Sequence, residues 1–187
     1  TMELGGKTPI VVCEDADIEG AIAGTLFAAF VASGQTCVSG ARFLIQDKIY
    51  DRFVEGIAAR AEQIIVGDPM DETTQMGPVI SQKSKDRCLR MIAKAKVDGA
   101  KMVAGASPLD LPGDFSNGFY VRPTVFKDVE KHHELFLEEV FGPVISITRF
   151  NDDDEAMEMA NTGTFGLGVS IWSRDIARAH RLSLKVR

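Results

Sequence analysis

The chain has 187 residues, of which 45% are hydrophobic and 26% are charged, and its formal net charge is −6. This length and composition predict one well-packed globular domain. The acidic balance argues against a nucleic-acid or anionic-lipid partner, and the apolar runs are too short to cross a membrane. Three cysteines without a CxxC pair or zinc-ligand spacing favour a reducing, cytoplasmic compartment and indicate no metal site.

Short apolar runs alternate with helix-like segments along the first half of the chain. The β-branched run PIVVC (9–13) predicts a buried strand, and RFLIQ (42–46) predicts another. Between them, residues 15–34 have apolar positions at helical spacing, begin with acidic N-cap candidates and are expected to end at Gly34. The remaining elements of this half follow as helix 48–65, loop 67–81 and helix 82–98.

The second half continues the alternation, with one irregular strand. Pro123 interrupts FYVRPTVFKDV (119–129), which predicts an edge strand or a bulge because proline cannot donate a ladder hydrogen bond. The other predicted elements are strand 100–106, loop 107–118, strand 143–150, helix 152–161, strand 166–173 and helix 174–185, in which the chain ends. Strands separated by helices of this length favour an α/β fold with a mostly parallel sheet flanked by helices. ELGGK (3–7) is not a phosphate-binding P-loop, which needs four residues between its two glycines. GTFGLG (163–168) precedes a strand instead of following one and opening a helix, so it is not a dinucleotide-binding fingerprint.

One cysteine, Cys37, lies in GQTCVSGAR (34–42) between two glycines, where a predicted helix gives way to a strand. Glycines allow tight turns in which backbone N–H groups converge on one point, and such junctions often display functional side chains. A lone cysteine is also a common small buried residue, so a nucleophile and a structural residue both remain open here. Cys13, at the end of a strand, and Cys88, within a helix, are interpreted as structural and buried.

Two further stretches carry carboxylates beside glycine. ELGGK places Glu3 before a glycine pair, and EEVFGPV (138–144) places two carboxylates before a Gly-Pro turn that enters a strand. The alternative interpretation of Glu3 is a solvated loop side chain, and the alternative for residues 138–144 is the C-terminus of a helix. Taken together and in this order, ELGGK, GQTCVSGAR, MGPVIS, GFYVRPTVF and EEVFGPV resemble the aldehyde dehydrogenase superfamily over essentially the whole of residues 1–187. Glu3 and Cys37 lie 34 positions apart (37 minus 3), which is typical of that family.

The resemblance implies a catalytic domain of the non-acylating, NAD(P)-dependent type. Cys37 resembles the nucleophile that attacks the aldehyde carbon, and Glu3 resembles the general base that activates water to hydrolyse the resulting thioester. Glu139 resembles the residue that binds the nicotinamide-ribose hydroxyls, and Phe141 resembles the aromatic residue that packs beside it. Leu4 lies where a backbone carbonyl would meet the carboxamide. The presence of Glu3 favours release of a free carboxylic acid over transfer to coenzyme A.

The same resemblance implies NAD or NADP as cofactor, an aldehyde as substrate, and a homo-oligomer for the full-length protein, in the cytoplasm or in mitochondria. Residues 1–187 are expected to form the catalytic domain alone, without the family's dinucleotide-binding domain, oxyanion-holding asparagine or oligomerisation arm. Two alternatives stay open: a scaffold or oligomer component without turnover, and a cofactor-independent thiol esterase. Thr36, Val38 and Phe165 are candidate contacts to the aldehyde.

Overall fold

A computed structural model describes Thr1 and residues 4–187, which form one six-stranded sheet with helices on both faces. The strands are β1 (Pro9–Val12), β2 (Arg42–Gln46), β3 (Lys101–Ala104), β4 (Thr124–Lys127), β5 (Val144–Phe150) and β6 (Ser170–Trp172). The α-helices are α1 (Ile18–Phe30), α2 (Asp47–Glu62), α3 (Gln82–Val97), α4 (Glu134–Leu137), α5 (Asp153–Ala160) and α6 (Ile176–Ser183), and 3-10 turns cover Val31–Gly34 and Gly113–Asn117. None of the described helices combines the length and the hydropathy that crossing a bilayer requires.

The sheet has the order β3–β4–β5–β2–β1–β6, and every neighbouring pair is parallel except β3 with β4. This order confirms the predicted mostly parallel α/β fold. At the centre, Phe43 of β2 pairs with Ile10 of β1 on one side and with Ile147 of β5 on the other. Because these strands run in one direction, the segments that lead into them all lie at the same edge of the sheet, here called the amino edge.

Side chains alternate between two apolar layers, one on each face of the sheet. Ile10 and Phe43 belong to the layer that α1 and α2 cover, whereas Val11 and Leu44 belong to the layer under α3 to α6. All four side chains are 1% exposed or less. Burial on both faces explains why the central strands are apolar at consecutive positions instead of alternating with polar residues.

Pro123 does not mark an edge strand, so that part of the sequence-based prediction is wrong. β4 begins after the proline, at Thr124, and lies inside the sheet between β3 and β5. The proline therefore precedes the ladder, whose first donor is the Thr124 N–H, bonded to the carbonyl of Pro143 at 2.9 Å. The bulge lies in the neighbouring strand β3, between Met102 and Ala104.

The first helix also departs from its predicted boundary. α1 ends at Phe30, before the expected stop at Gly34. The helix breaks at Val31, whose ψ of 139° is extended, and the left-handed φ angles of Ala32 and Ser33, 51° and 56°, cannot resume a right-handed helix. At the other end of the chain, α6 ends at Ser183, two residues before its predicted limit.

Phe53 on α2 offers a test of this core. Phe53 is fully buried, and its ring meets that of Phe43 edge to face with centroids 6.3 Å apart. We expect Phe53→Ala to lower the free energy of unfolding by about 3–5 kcal/mol, because the lost hydrophobic burial and the cavity left behind both destabilise the folded state. The matched control is Phe27→Ala on α1, where the side chain is 70% exposed and the expected change is within about 0.5 kcal/mol. Urea titration measures both, and equal losses would contradict the core assignment.

Candidate active site

The three sequence motifs meet at the amino edge of the sheet. Residues 4–8 lead into β1, residues 35–41 lead into β2 and residues 138–143 lead into β5, and these strands lie near one another in the order β5–β2–β1. All three segments line one small cavity of about 10 Å³, to which they contribute residues such as Gly6 and Glu139. Gly6 and Glu139 are 133 positions apart in the chain, so the sheet topology alone brings them into contact.

The backbone of Gly5 and Gly6 lies between the Cys37 turn and the Glu139 carboxylate. The Gly6 N–H donates to Glu139 Oε1 at 3.1 Å. A Cβ atom on Gly5 would lie 2.9 Å from Glu139 Oε2, and a Cβ atom on Gly6 would lie 2.5 Å from the carbonyl oxygen of Cys37. A backbone carbonyl cannot rotate aside as the end of a side chain can, so only glycine fits at position 6.

The turn that presents Cys37 has a strained backbone. Ala32, Ser33 and Gly34 are consecutive left-handed residues, with φ angles of 51°, 56° and 70°. For residues other than glycine this conformation costs roughly 1–2 kcal/mol each. Gly34 is also in close contact with the segment before β5, because a Cβ atom there would lie 2.4 Å from the carbonyl oxygen of Gly142. Such strain persists only where surrounding contacts hold it, and it is common at functional sites.

The three cysteines differ in their access to solvent. Cys37 is exposed, whereas Cys13 and Cys88 are buried, as the sequence predicts. Burial raises the pKa of Cys13 and of Cys88 to about 11. Since the thiolate is the reactive form, both buried cysteines are less reactive than an ordinary thiol at neutral pH.

Glu139, Phe141 and Leu4 lie in the two segments that meet at the glycine pair. Glu139 is half-buried, and its backbone carbonyl accepts a hydrogen bond from Arg87 of α3, which adds a second restraint on this segment. Phe141 has a left-handed φ of 54°, uncommon for an aromatic residue, and its side chain is 38% exposed, while Leu4 is 53% exposed. Glu3, the predicted general base, lies outside the described residues.

Sequence reasoning missed two buried cations that follow the glycine-bearing motifs, Lys7 and Arg42. Lys7 is 2% exposed, and its Nζ has no hydrogen-bond partner among the described residues. Burial, assisted by the charge of Arg42, lowers the pKa of Lys7 to about 7, while Glu139 and Glu138 act in the opposite direction. The Arg42 guanidinium instead donates to two backbone carbonyls at the end of α5, at 2.8 and 2.9 Å. In the sequence, the only indication of these buried cations was that ELGGK ends in Lys7 and GQTCVSGAR ends in Arg42.

One cluster of possible metal ligands lies elsewhere, after β4. Glu130, His132 and His133 each offer a ligand atom within 4.8 Å of the others. The buried His133 already accepts the N–H of Glu130 at its Nδ1, at 3.1 Å. Glu130 and His132 are exposed, and the distance from His132 Nδ1 to Glu130 Oε2 is 3.5 Å. A neutral imidazole that accepts at Nδ1 carries its proton on Nε2, so His133 offers no free lone pair and two solvated side chains remain, fewer than the three or four protein ligands of a typical transition-metal site.

Brief labelling with iodoacetamide tests the cysteine assignment. We expect Cys37 to be alkylated first because its thiol is exposed, and we expect Cys13 and Cys88 to react slowly because they are buried and have raised pKa values. Peptide mapping after short reaction times gives the order, with Cys37→Ser as the control that removes the fast phase. Alkylation of Cys88 before Cys37 would count against the site.

Lys7→Met tests the buried amine through the pH dependence of stability. Lys7 has a pKa of about 7 in the folded chain and an ordinary value of 10.5. Between these values the unfolded chain binds more protons, so Lys7 makes the free energy of unfolding rise with pH by up to about 1.4 kcal/mol per pH unit. We therefore expect Lys7→Met to be more stable than the wild type at pH 7, by a margin that shrinks towards pH 9. Urea unfolding at both pH values measures the margin, and a constant margin would rule out a depressed pKa.

Comparison with known proteins agrees with this geometry. The family described as "Aldehyde dehydrogenase family" matches residues 1–187. Betaine aldehyde dehydrogenase of Brucella anthropi is 43% identical over 182 residues, which are 97% of this chain and 37% of that protein. The crystal structure of betaine aldehyde dehydrogenase from Staphylococcus aureus in complex with NAD+ has a TM-score of 0.94 at 35% identity, covering 98% of this chain and 36% of that one.

The same fold is found in HpcC from Thermus thermophilus, with a TM-score of 0.94 at 38% identity over 98% of this chain and 36% of that one. The chain thus spans about 37% of the length of the curated relatives it matches. Its mostly parallel sheet flanked by helices is the fold of the corresponding part of these structures. Because the family match extends over every residue from 1 to 187, the chain belongs to the aldehyde dehydrogenase family.

Proposed function

We propose that residues 1–187 supply the nucleophile and the nicotinamide-side contacts of an NAD(P)-dependent aldehyde dehydrogenase that releases a free carboxylic acid. The observation that carries this proposal is the Gly5–Gly6 backbone, which contacts both the Cys37 turn and the Glu139 carboxylate. A nucleophilic thiol and an acceptor for ribose hydroxyls are needed side by side in such an enzyme. The activity, the cofactor and the homo-oligomeric assembly of the whole protein are parts of the same proposal.

Cys37 acts as the nucleophile. Its thiolate adds to the aldehyde carbon to give a thiohemiacetal, and its backbone N–H stabilises the negative charge that develops on the oxygen. Two observations support this role. The Cys37 side chain is exposed, so an aldehyde can reach the sulfur. In the described part of the chain, the Cys37 N–H donates to no backbone carbonyl and is available to the substrate oxygen.

Glu139, Phe141 and Leu4 form the cofactor side. An ionised carboxylate accepts several hydrogen bonds, and among the described residues the side chain of Glu139 is engaged only by the Gly6 N–H at Oε1, which leaves acceptor capacity for ribose hydroxyls. The partly exposed ring of Phe141 offers an apolar face beside it. NAD(P) held by these residues would supply the acceptor for the hydride that leaves the thiohemiacetal carbon. The NAD+ complex of the Staphylococcus aureus relative supports this choice of cofactor.

The rest of the dinucleotide is held elsewhere in the whole protein. A pyrophosphate is usually bound by a glycine-rich turn between a strand and a helix N-terminus. The described connections from β1, β2, β4, β5 and β6 into the following helices contain no glycine. We therefore expect that residues 1–187 by themselves do not sustain NADH production.

Glu3 is the general base of the proposal. It activates the water that hydrolyses the Cys37 thioester, so that the acid is released. Its support is its position in the sequence, two residues before Gly5, whose backbone faces the Glu139 carboxylate.

The substrate is an aldehyde, and betaine aldehyde is the first compound to test because the Brucella and Staphylococcus relatives are named for it. The three residues predicted to contact the aldehyde lie near the Cys37 turn or the glycine pair. Thr36 lines the small cavity, Val38 is 54% exposed, and the Phe165 ring lies 3.4 Å from where a Cβ atom of Gly5 would be.

p-Nitrophenyl acetate tests the thiol chemistry without a cofactor. We expect a burst of one p-nitrophenolate per chain, because Cys37 is acylated once and its thioester is then hydrolysed slowly. Cys37→Ser is expected to abolish the burst, whereas Glu3→Gln is expected to keep the burst and slow the later steady release by about 100-fold. A burst that survives in Cys37→Ser would remove the nucleophile from the proposal. Rapid steady turnover without cofactor would favour a thiol esterase instead.

A second arm measures hydride transfer in the whole protein, with NAD+ or NADP+ and betaine aldehyde among other aldehydes. Glu139→Gln is expected to slow the NADH burst and to leave the alkylation of Cys37 unchanged, because the amide still accepts the Gly6 N–H but lacks the charge that ribose hydroxyls favour. A normal NADH burst in this variant would contradict the role of Glu139. NADH formation by residues 1–187 alone would contradict the division of the cofactor site.

A further inference from the structure

Two side chains connect the Cys37 turn to a distant loop, residues 76–80, here called the strap. The Ser33 hydroxyl donates to the carbonyl oxygen of Gly77 at 2.9 Å and lies 3.3 Å from the next carbonyl oxygen. The Gln35 side-chain oxygen accepts the N–H of Ile80 at 3.0 Å. Both contacts join residues about 45 positions apart, so they are tertiary contacts and not part of the turn itself.

The strap is anchored to the body of the fold independently of the turn. Met76 forms a parallel bridge with Val66, and the Val79 N–H donates to the carbonyl oxygen of Phe119 at 2.9 Å. Met76 and Val79 are 3% and 2% exposed. Directly after the strap, the Ser81 side chain caps the N-terminus of α3. The strap is therefore fixed at both ends and can restrain the turn.

We propose that Ser33 and Gln35 are positioning residues for the Cys37 thiol, through which the strap holds the Cys37 turn in its left-handed conformation. Ala32 and Ser33 are adjacent left-handed residues without glycine's freedom, and such a pair is not stable on local grounds. The two contacts to the strap flank Gly34, the third left-handed residue, and so fix the turn just before the cysteine. This inference rests on the proposed role of Cys37 as nucleophile.

The strap is expected to affect two reactions of the same sulfur differently. Iodoacetamide alkylation needs an accessible thiolate and no donor to an oxyanion. Attack on p-nitrophenyl acetate forms a sulfur–carbon bond, moves the carbonyl electron pair onto oxygen beside the Cys37 N–H, and then expels p-nitrophenolate as the carbonyl re-forms. A relaxed turn loses this alignment while its sulfur stays accessible. The ratio of acylation rate to alkylation rate therefore reports positioning, whereas a change in access or in thiolate fraction alters both rates together.

The experiment measures both rate constants in the wild type, Ser33→Ala, Gln35→Ala and a control, Ser183→Ala. Ser183 also donates its hydroxyl to a backbone carbonyl, that of His180 at 2.8 Å, but within α6. We expect the acylation-to-alkylation ratio to fall by about 10- to 100-fold in Ser33→Ala and Gln35→Ala and to stay unchanged in the control. Gln35→Glu keeps an acceptor for the Ile80 N–H and is expected to stay within about threefold of the wild-type ratio.

Each outcome bears on a separate claim. A wild-type ratio in both Ser33→Ala and Gln35→Ala would overturn the positioning role and leave the Cys37 assignment intact. Failure of the wild-type chain to be acylated at all would overturn the proposed function itself. Thermal unfolding identifies any variant that does not fold. If Ser33→Ala fails to fold, the comparison of Gln35→Ala with Gln35→Glu tests the inference, because Gln35 is half-exposed. Equal acylation-to-alkylation ratios in these two variants would refute it.

Discussion

The constraint on which the rest of this structure depends is the passage of the Gly5–Gly6 backbone between the Cys37 carbonyl and the Glu139 carboxylate. The hydrogen bond from the Gly6 N–H to Glu139 and the 2.5 Å clearance left for a Cβ atom at Gly6 show how closely the three segments approach. Each segment leads directly into a buried strand of the central sheet. The sheet therefore brings the three segments together, and the strap restrains the turn that carries the thiol, as a preorganised site requires.

The position of the site on the sheet is unusual for this class of fold. In open α/β sheets ligands generally bind beyond the carboxyl ends of the strands. Here the candidate residues lie at the amino edge, before β5, β2 and β1, with the Phe165 segment before β6. At the opposite edge, Arg178 bonds to Asp15 at 3.3 Å, to Gln46 at 3.1 Å and to Asp153. These groups satisfy one another, so around Arg178 the polar atoms at the carboxyl edge hold β2, α5 and α6 together.

Sequence patterns predicted the fold where local and tertiary requirements coincide. The strands at 9–13 and 42–46 are apolar at consecutive positions because both of their faces are buried, and that pattern is readable without a structure. Pro123 was misjudged because its effect depends on where the ladder begins and on which strands are neighbours. The family motifs led to Cys37 and Glu139, but their contact through the glycine pair required the strand order.

Other features of the site had no local signal. A lysine is ordinarily exposed, so the burial of Lys7 follows only from the neighbouring segments that cover it. The left-handed run at Ala32 and Ser33 is equally invisible, because neither residue type favours that conformation and the restraining contacts come from the distant strap. In both cases the sequence encodes the feature at two places that meet only in the folded chain.

The strand order also has a consequence for how the chain is made. β1 and β2 can pair with each other once both have left the ribosome, but their outer edges await β6 and β5, which begin only at Ser170 and Val144. A nascent chain therefore carries two unpaired strand edges, together with the thiol of Cys37, from the emergence of β2 until β5 and β6 follow. Exposed edges of this kind template mispairing between chains. Protection of β1 and β2 until β5 and β6 have emerged thus favours correct pairing in this topology.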